Sequence, residues 1–184
     1  GYLAGKLSPG HIPRLVGLEH TNPSMDDLRA VCAAFGTTSA APMLHIHGVT
    51  PEGHIAPASD AHSARITPAD LVDAWAQLNA GPDQIDLVAL GSPHFSLQET
   101  RRFAELMAGK TCHPDTSVII TLGREILAIA QEQGLVRQLE TAGVQLIHDI
   151  CWCSISEPVL PPSAKTLMTN SGKYAHYAPG LCGR

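Results

Sequence analysis

The 184 residues carry a formal net charge of −5 and are 44% hydrophobic, enough apolar material for a normal interior. No run of Lys and Arg is present to displace counterions from a nucleic-acid backbone, which excludes that partner. No stretch approaches the roughly eighteen apolar residues of a membrane helix, and no charged-then-apolar leader opens the chain, so the expectation is a cytoplasmic globule without a membrane partner.

The chain opens on "GYLAGK" without a methionine and stops at "GLCGR" just after its most polar motif. Residues 1–184 are therefore expected to be a segment of a larger catalytic region, cut at both ends. In "SMDDLRAVCAAFG" Ser24 caps a helix, Leu28, Val31 and Cys32 form its apolar stripe and Gly36 ends it. "APMLHIHGVT" follows as a short buried strand, with His45 and His47 on one face. "TPADLVDAWAQLN" predicts a second helix, capped by Thr67, with Pro68 first and Leu71, Val72, Trp75 and Leu78 on the buried stripe.

Strand and helix then alternate. "IDLVAL" (85–90) is a strand, and "SLQETRRFAELMAG" (96–109) is a helix with a capping box from Ser96 to Glu99. "SVIITL" (117–122) is a strand, "GREILAIAQEQG" and "VRQLETAG" are helices, "VQLIHDI" (144–150) is a strand, and "AKTLMTN" (164–170) is the last one. Apolar strands separated by amphipathic helices predict an α/β fold, a mostly parallel sheet with helices on both faces.

Ligands of such sheets gather beyond the carboxyl ends of the strands. Three polar clusters fall there: "GSPHFS" (91–96), "DICWCS" (149–154) and "TNSGKYAHYAPG" (169–180). If the strands neighbour one another, their loops place Ser92, His94, Cys151, Cys153, Asn170, Ser171, Lys173 and His176 along a single cleft, with His47 at its rim. Ser92 and Ser96 suit a helix cap or a ligand contact equally. His94 suits a ligand, a general acid or base, or a surface residue. Lys173 beside Gly172 suits the grip of a carboxylate or a solvated charge. The five cysteines (32, 112, 151, 153 and 182) do not space as a disulfide framework; in a reducing compartment they are core fillers or metal ligands. Packing is the expectation for Cys32 and Cys112. The chain has no G-x-S-x-G, H-E-x-x-H, P-loop or G-x-G-x-x-G motif, which removes most support for hydrolase, zincin and nucleotide-binding readings. Thiols, a histidine, an amide and a lysine in one cleft suit metal-assisted lyase chemistry on a small carboxylate. A non-catalytic α/β module that binds a small acid or docks a partner, and a zinc hydrolase built on His94 and Cys151, are the competing readings.

"GYLAGK", "HIHGVTPEG", "GSPHFSLQE", "DICWC" and "TNSGKYAHYAPG", in that order along nearly the whole chain, resemble motifs of the large, catalytic portion of the aconitase X family. The resemblance implies an aconitase-like α/β dehydratase that removes water from a small hydroxy acid with cysteine-bound iron as Lewis acid, commonly an iron–sulfur cluster. It implies either dehydration of cis-3-hydroxy-L-proline, which the variants "GSPHF" and "CWCS" favour, or of phosphorylated mevalonate. Cys151 matches the family's metal-binding cysteine and Cys153 is an extra thiol beside it. Ser92 stands where many members carry a cysteine, which leaves the ligation there in doubt. Further ligands, and the proton-abstracting serine of a small swivelling domain or partner subunit, are expected outside this chain, so the segment alone is expected to be inactive. On this scheme His94 serves the departing hydroxyl, while Lys173, Asn170 and Ser171 orient the carboxylate, with Ser92, His47 and His176 as further substrate contacts.

Overall fold

The structure, a computed structural model, describes residues 1–183. It divides into two compact units, residues 1–79 and residues 80 onward.

The first unit contains helix α1 (Tyr2–Leu7), strand β1 (Arg14–Leu15), helix α2 (Met25–Thr38), strand β2 (His45–Ile46) and helix α3 (Pro68–Leu78). Ser24 caps α2 and Thr67 caps α3, each in a reciprocal capping box with the aspartate three residues on. Helix α2 runs two residues past Gly36, the expected stop, and ends at its C-cap Ser39, whose N–H donates to the Phe35 carbonyl. Its core is Ala4, Phe35, Leu44 and Ile46. Helices α1 and α2 cross so closely that a Cβ on Gly5 would stand 2.1 Å from Thr38 Oγ1. Strands β1 and β2 pair in parallel over two residues only. The expected longer strand is absent, and His47 lies in the turn beyond β2.

Two further expectations fail in this unit. Leu71, Val72 and Trp75 are 58%, 67% and 71% exposed, not buried. The small core is formed from α1, α2, β2 and the residue before β2, and the stripe of α3 lines a shallow groove with Tyr2 and Leu3 of α1. Cys32 is likewise exposed, although it was expected to pack.

The second unit is a parallel four-stranded sheet of order β5-β4-β3-β6, which is the expected α/β class. Its elements are β3 (Leu87–Phe95), α4 (Leu97–Met107), β4 (Ser117–Leu122), α5 (Arg124–Glu132), α6 (Leu135–Thr141), β5 (Val144–His148), a 3-10 turn (Trp152–Ser154), β6 (Leu167–Met168) and α7 (Gly172–Cys182). Alternate residues of the central strands face opposite cores, as the two-residue period of a strand requires. Leu87, Ala89 and Ile119 pack with Trp152, Tyr174 and Ala178. Leu90, Val118, Ile120 and Leu122 pack with Ala104 of α4 and Leu139 of α6 on the other side. Asp86 staples β3 to the start of β6, its carboxylate accepting the Lys165 and Thr166 N–H groups at 2.8 and 3.1 Å.

Candidate active site

Strand β3 does not stop at Leu90, where Gly, Ser and Pro predict a turn. Leu90 pairs with Ile120 and Phe95 with Leu122, so residues 91–94 stand against Thr121 alone. This is a wide bulge at the carboxyl end of a central strand. Gly91 makes it possible: its φ is +96°, and a Cβ there would lie 2.1 Å from the Thr121 carbonyl oxygen. Thr121 Oγ1 donates to the Gly91 carbonyl at 2.7 Å and fixes the bulge from the β4 side.

The bulge delivers Ser92 and His94. Ser92 is 5% exposed, and its Oγ is a buried polar atom with no hydrogen-bond partner among the described residues. Such an orphan is unusual in a folded interior. His94 Nε2 donates to the Ile150 carbonyl at 2.9 Å; a carbonyl can only accept, so the proton sits on Nε2.

The loop after β5 crosses over the end of β4 to reach β3. Trp152, 1% exposed, donates its indole N–H to the Leu90 carbonyl at 2.7 Å. Its ring packs on Tyr174, with centroids 5.2 Å apart. Tyr174 lies in the first turn of α7, where the Ser171 side chain accepts its backbone N–H at 3.0 Å. This buried pair sets the spacing of its neighbours in sequence, and Lys173 Nζ lies 3.9 Å from Cys151 Sγ. Cys153 packs against the same core. Burial pushes its thiol up, the adjacent Cys151 adds to the rise, and Lys173 opposes it.

Cys151, Cys153 and Lys173 are thus brought together, with His94 bonded to the residue preceding Cys151. Ser92 lies in the bulge, two residues before His94. Lys173 and His176, expected in a loop, stand on α7, which begins directly after Ser171. The polar motif is rich in hydrogen-bonding groups partly because it starts a helix, with Ser171 as the cap. Asn170 is exposed just before that cap, and His176 is exposed with its ring against Tyr177 at 5.2 Å. His47 belongs to the first unit, where its Nδ1 and the Gly53 carbonyl are 3.0 Å apart. Cys112 is half-buried in the packing around α6 and β5, where burial raises its thiol. A depression of about 380 Å³ opens at the opposite end of the sheet, lined by Asp86, Asp115, Ser117 and Ser163, and holds no thiol.

Asp149 escaped the sequence reading. Its carboxylate accepts the Arg124 backbone N–H at 2.9 Å, the Arg124 guanidinium Nε, and His148 Nδ1 at 3.2 Å. The Arg124 backbone bond, then its guanidinium, hold the Asp149 carboxyl down to about 2. Arg124 lies 25 residues from Asp149, a distance no local pattern signals.

Sulfur donors suit a soft or borderline metal. Cys151 and Cys153 fit part of such a coordination shell, but among the described residues no group of three or more His, Cys, Asp or Glu side chains is placed to complete one. Also among the described residues, no helix is long and apolar enough to cross a membrane.

The chain is 47% identical to the cis-3-hydroxy-L-proline dehydratase of Pseudomonas aeruginosa, covering 100% of this chain and 33% of that protein. It is 44% identical to the enzyme of the same name from Hypocrea jecorina, covering 100% and 32% respectively. Identity to the phosphomevalonate dehydratase large subunit of Methanothermobacter thermautotrophicus is 33%, covering 100% of this chain and 45% of that protein. The chain therefore spans about a third of the length of the first two relatives. The holo-form crystal structure of Thermococcus kodakaraensis aconitase X superposes with a TM-score of 0.81 at 28% identity, over 97% of this chain and 45% of that one. Residues 1–76 match the aconitase X second domain and residues 85–184 the aconitase X third domain, and on this ground the chain belongs to the aconitase X family.

Proposed function

We propose that this chain is the α/β segment of a hydro-lyase that removes water from a small hydroxy acid, with cis-3-hydroxy-L-proline as substrate. The observation that carries the reading is the apposition of Cys151 and Lys173 at the carboxyl ends of the strands, where a sulfur donor and a carboxylate-binding cation meet. Choice of substrate rests on the higher identity to the two hydroxyproline dehydratases than to the phosphomevalonate dehydratase subunit.

Cys151, with Cys153 as the weaker candidate, would hold iron, and an iron–sulfur cluster is the form we favour, with further ligands from polypeptide outside this chain. Bound there, it would supply a Lewis acid that makes a hydroxyl a better leaving group. The chain's own residues do the rest of the work assigned here. Lys173 and the N–H groups that open α7 neutralise the substrate carboxylate, which acidifies the adjacent carbon. Asn170, Ser171 and His176, at the start and on the first turns of the same helix, orient it. The Ser92 hydroxyl finds in the substrate the partner it otherwise lacks. His94, held through its Nε2–H by the Ile150 carbonyl, serves the departing hydroxyl, which takes up a proton from solvent and leaves as water. The carbon-bound proton goes to a base on a smaller domain or partner subunit; the archaeal relative's name, a large subunit, supports a second polypeptide.

The test is a dehydratase assay of the intact enzyme on cis-3-hydroxy-L-proline and on mevalonate 5-phosphate, with iron quantified in the same preparation. Turnover of the hydroxyproline by an iron-containing protein is the expected result. Turnover of the phosphate ester alone reassigns the substrate. An iron-free protein that binds hydroxy acids without turning them over is a binding module instead. Lys173→Met is expected to lower kcat/KM about a hundredfold, the scale of a lost buried charge contact; unchanged turnover removes Lys173 from the site.

A further inference from the structure

Where β5 ends, the chain turns through Asp149 with φ +59°, one of two positive values at non-glycine residues among those described, Asn22 being the other. Left-handed backbone strains a residue that carries a Cβ, least so Asn and Asp. Asp149 is held there from several directions. Its N–H donates to the Leu122 carbonyl at the end of β4, 3.0 Å away. One carboxylate oxygen accepts the Arg124 backbone N–H, and the other accepts Arg124 Nε and His148 Nδ1. Helix α5 begins at Gly123, which has no side chain with which to cap it. Asp149 therefore does for α5 from another strand what Ser24, Thr67 and Ser96 do locally for α2, α3 and α4.

The residues that follow are pinned one after another, Ile150 by His94 and Trp152 by Leu90, with Cys151 between them facing Lys173. We infer that Asp149 is a positioning residue: by capping α5 from outside the helix it sets the backbone from which Cys151 meets Lys173. Its value to catalysis rests on the function proposed above, but the geometry can be tested without it.

Asp149→Asn keeps an acceptor for the Arg124 N–H and tolerates the left-handed backbone, Asp149→Gly keeps only the backbone freedom, and Arg124→Ala removes the guanidinium arm alone. The first readout, in the intact enzyme after chelation, is the iodoacetamide alkylation rate of Cys151 relative to Cys32, which is exposed in the other unit. The second is kcat and KM for dehydration. Asp149→Gly is expected to shift the Cys151-to-Cys32 ratio about fivefold or more and to lower kcat about tenfold, with KM within about threefold. Asp149→Asn should restore most of both, and Arg124→Ala should fall between. A ratio within about twofold of wild type in both Asp149→Gly and Arg124→Ala overturns the inference. If the wild-type enzyme dehydrates neither substrate, the function proposed above fails while the alkylation ratio still decides the role of Asp149.

Discussion

The Cys151 sulfur stands 3.9 Å from the Lys173 ammonium because the next residue of each, Trp152 and Tyr174, is 1% exposed and packs ring on ring. The indole N–H on Leu90 fixes that pair to β3. Trp152→Phe keeps an aromatic ring and removes the donor. Loss of the buried bond costs about 1–3 kcal/mol, with a further increment for the volume removed. A urea unfolding curve should show that drop, and an unchanged midpoint would mean that ring packing alone holds the loop.

Ser92→Ala separates function from stability. The hydroxyl is buried without a partner among the described residues, so the folded state gains nothing from it and carries its desolvation, about 1–3 kcal/mol for an unsatisfied group. The variant is expected to unfold at the same or a higher urea concentration while kcat/KM falls about tenfold or more. A destabilised Ser92→Ala with full activity would contradict both halves.

Gly91→Ala attacks the bulge itself. A φ of +96° strains alanine, and the new Cβ would overlap the Thr121 carbonyl. Strain of about 1–2 kcal/mol from the backbone adds to the overlap, so the total is expected to exceed about 3 kcal/mol. Thermal unfolding monitored by circular dichroism measures it; a shift within a degree or two of wild type would show that β3 can reach Phe95 by another path.

Local chemistry made part of this readable in advance. The caps at Ser24 and Thr67 and the box from Ser96 to Glu99 rest on residues at most four apart, and all three form as expected. The apolar runs of β4 and β5 also fall where the sequence places them, within two residues. What escaped is long-range. Leu90 looked like a strand end because Gly, Ser and Pro are turn residues, yet Thr121, 30 residues on, accommodates them in the ladder. "TNSGKYAHYAPG" reads as a loop by composition, yet Tyr174 is drawn into the core by Trp152 and carries a helix with it. The pattern of α3 gives an apolar stripe, but no pattern says whether a neighbour covers it. Of the residues expected in one cleft, Cys151, Cys153 and Lys173 are brought together, and the means were not legible, since Trp152 bonds across 62 positions to Leu90.

At the far end of the sheet, Asp86 makes β6 acid-sensitive. β6 is a two-residue edge strand, paired only through Leu87 and Val88, and the Asp86 carboxylate gathers its leading N–H groups. The Lys165 N–H chiefly, and then the Thr166 groups, hold this carboxyl below its ordinary value of 3.8 although burial pulls the other way. A depressed folded value means the contribution is complete above the unfolded value and is lost as pH falls through the lower folded one. The gap in urea midpoint between wild type and Asp86→Ala should therefore be constant from about pH 7 to about pH 5 and narrow as the pH falls below the ordinary carboxyl value of 3.8. The protection of the Leu87 amide, whose N–H donates to the Thr166 carbonyl, measured against the intrinsic exchange rate at each pH, should fall over the same interval in wild type and be low throughout in the variant. A gap that persists undiminished at about pH 2.5 would show that Asp86 holds β6 by shape and not by charge.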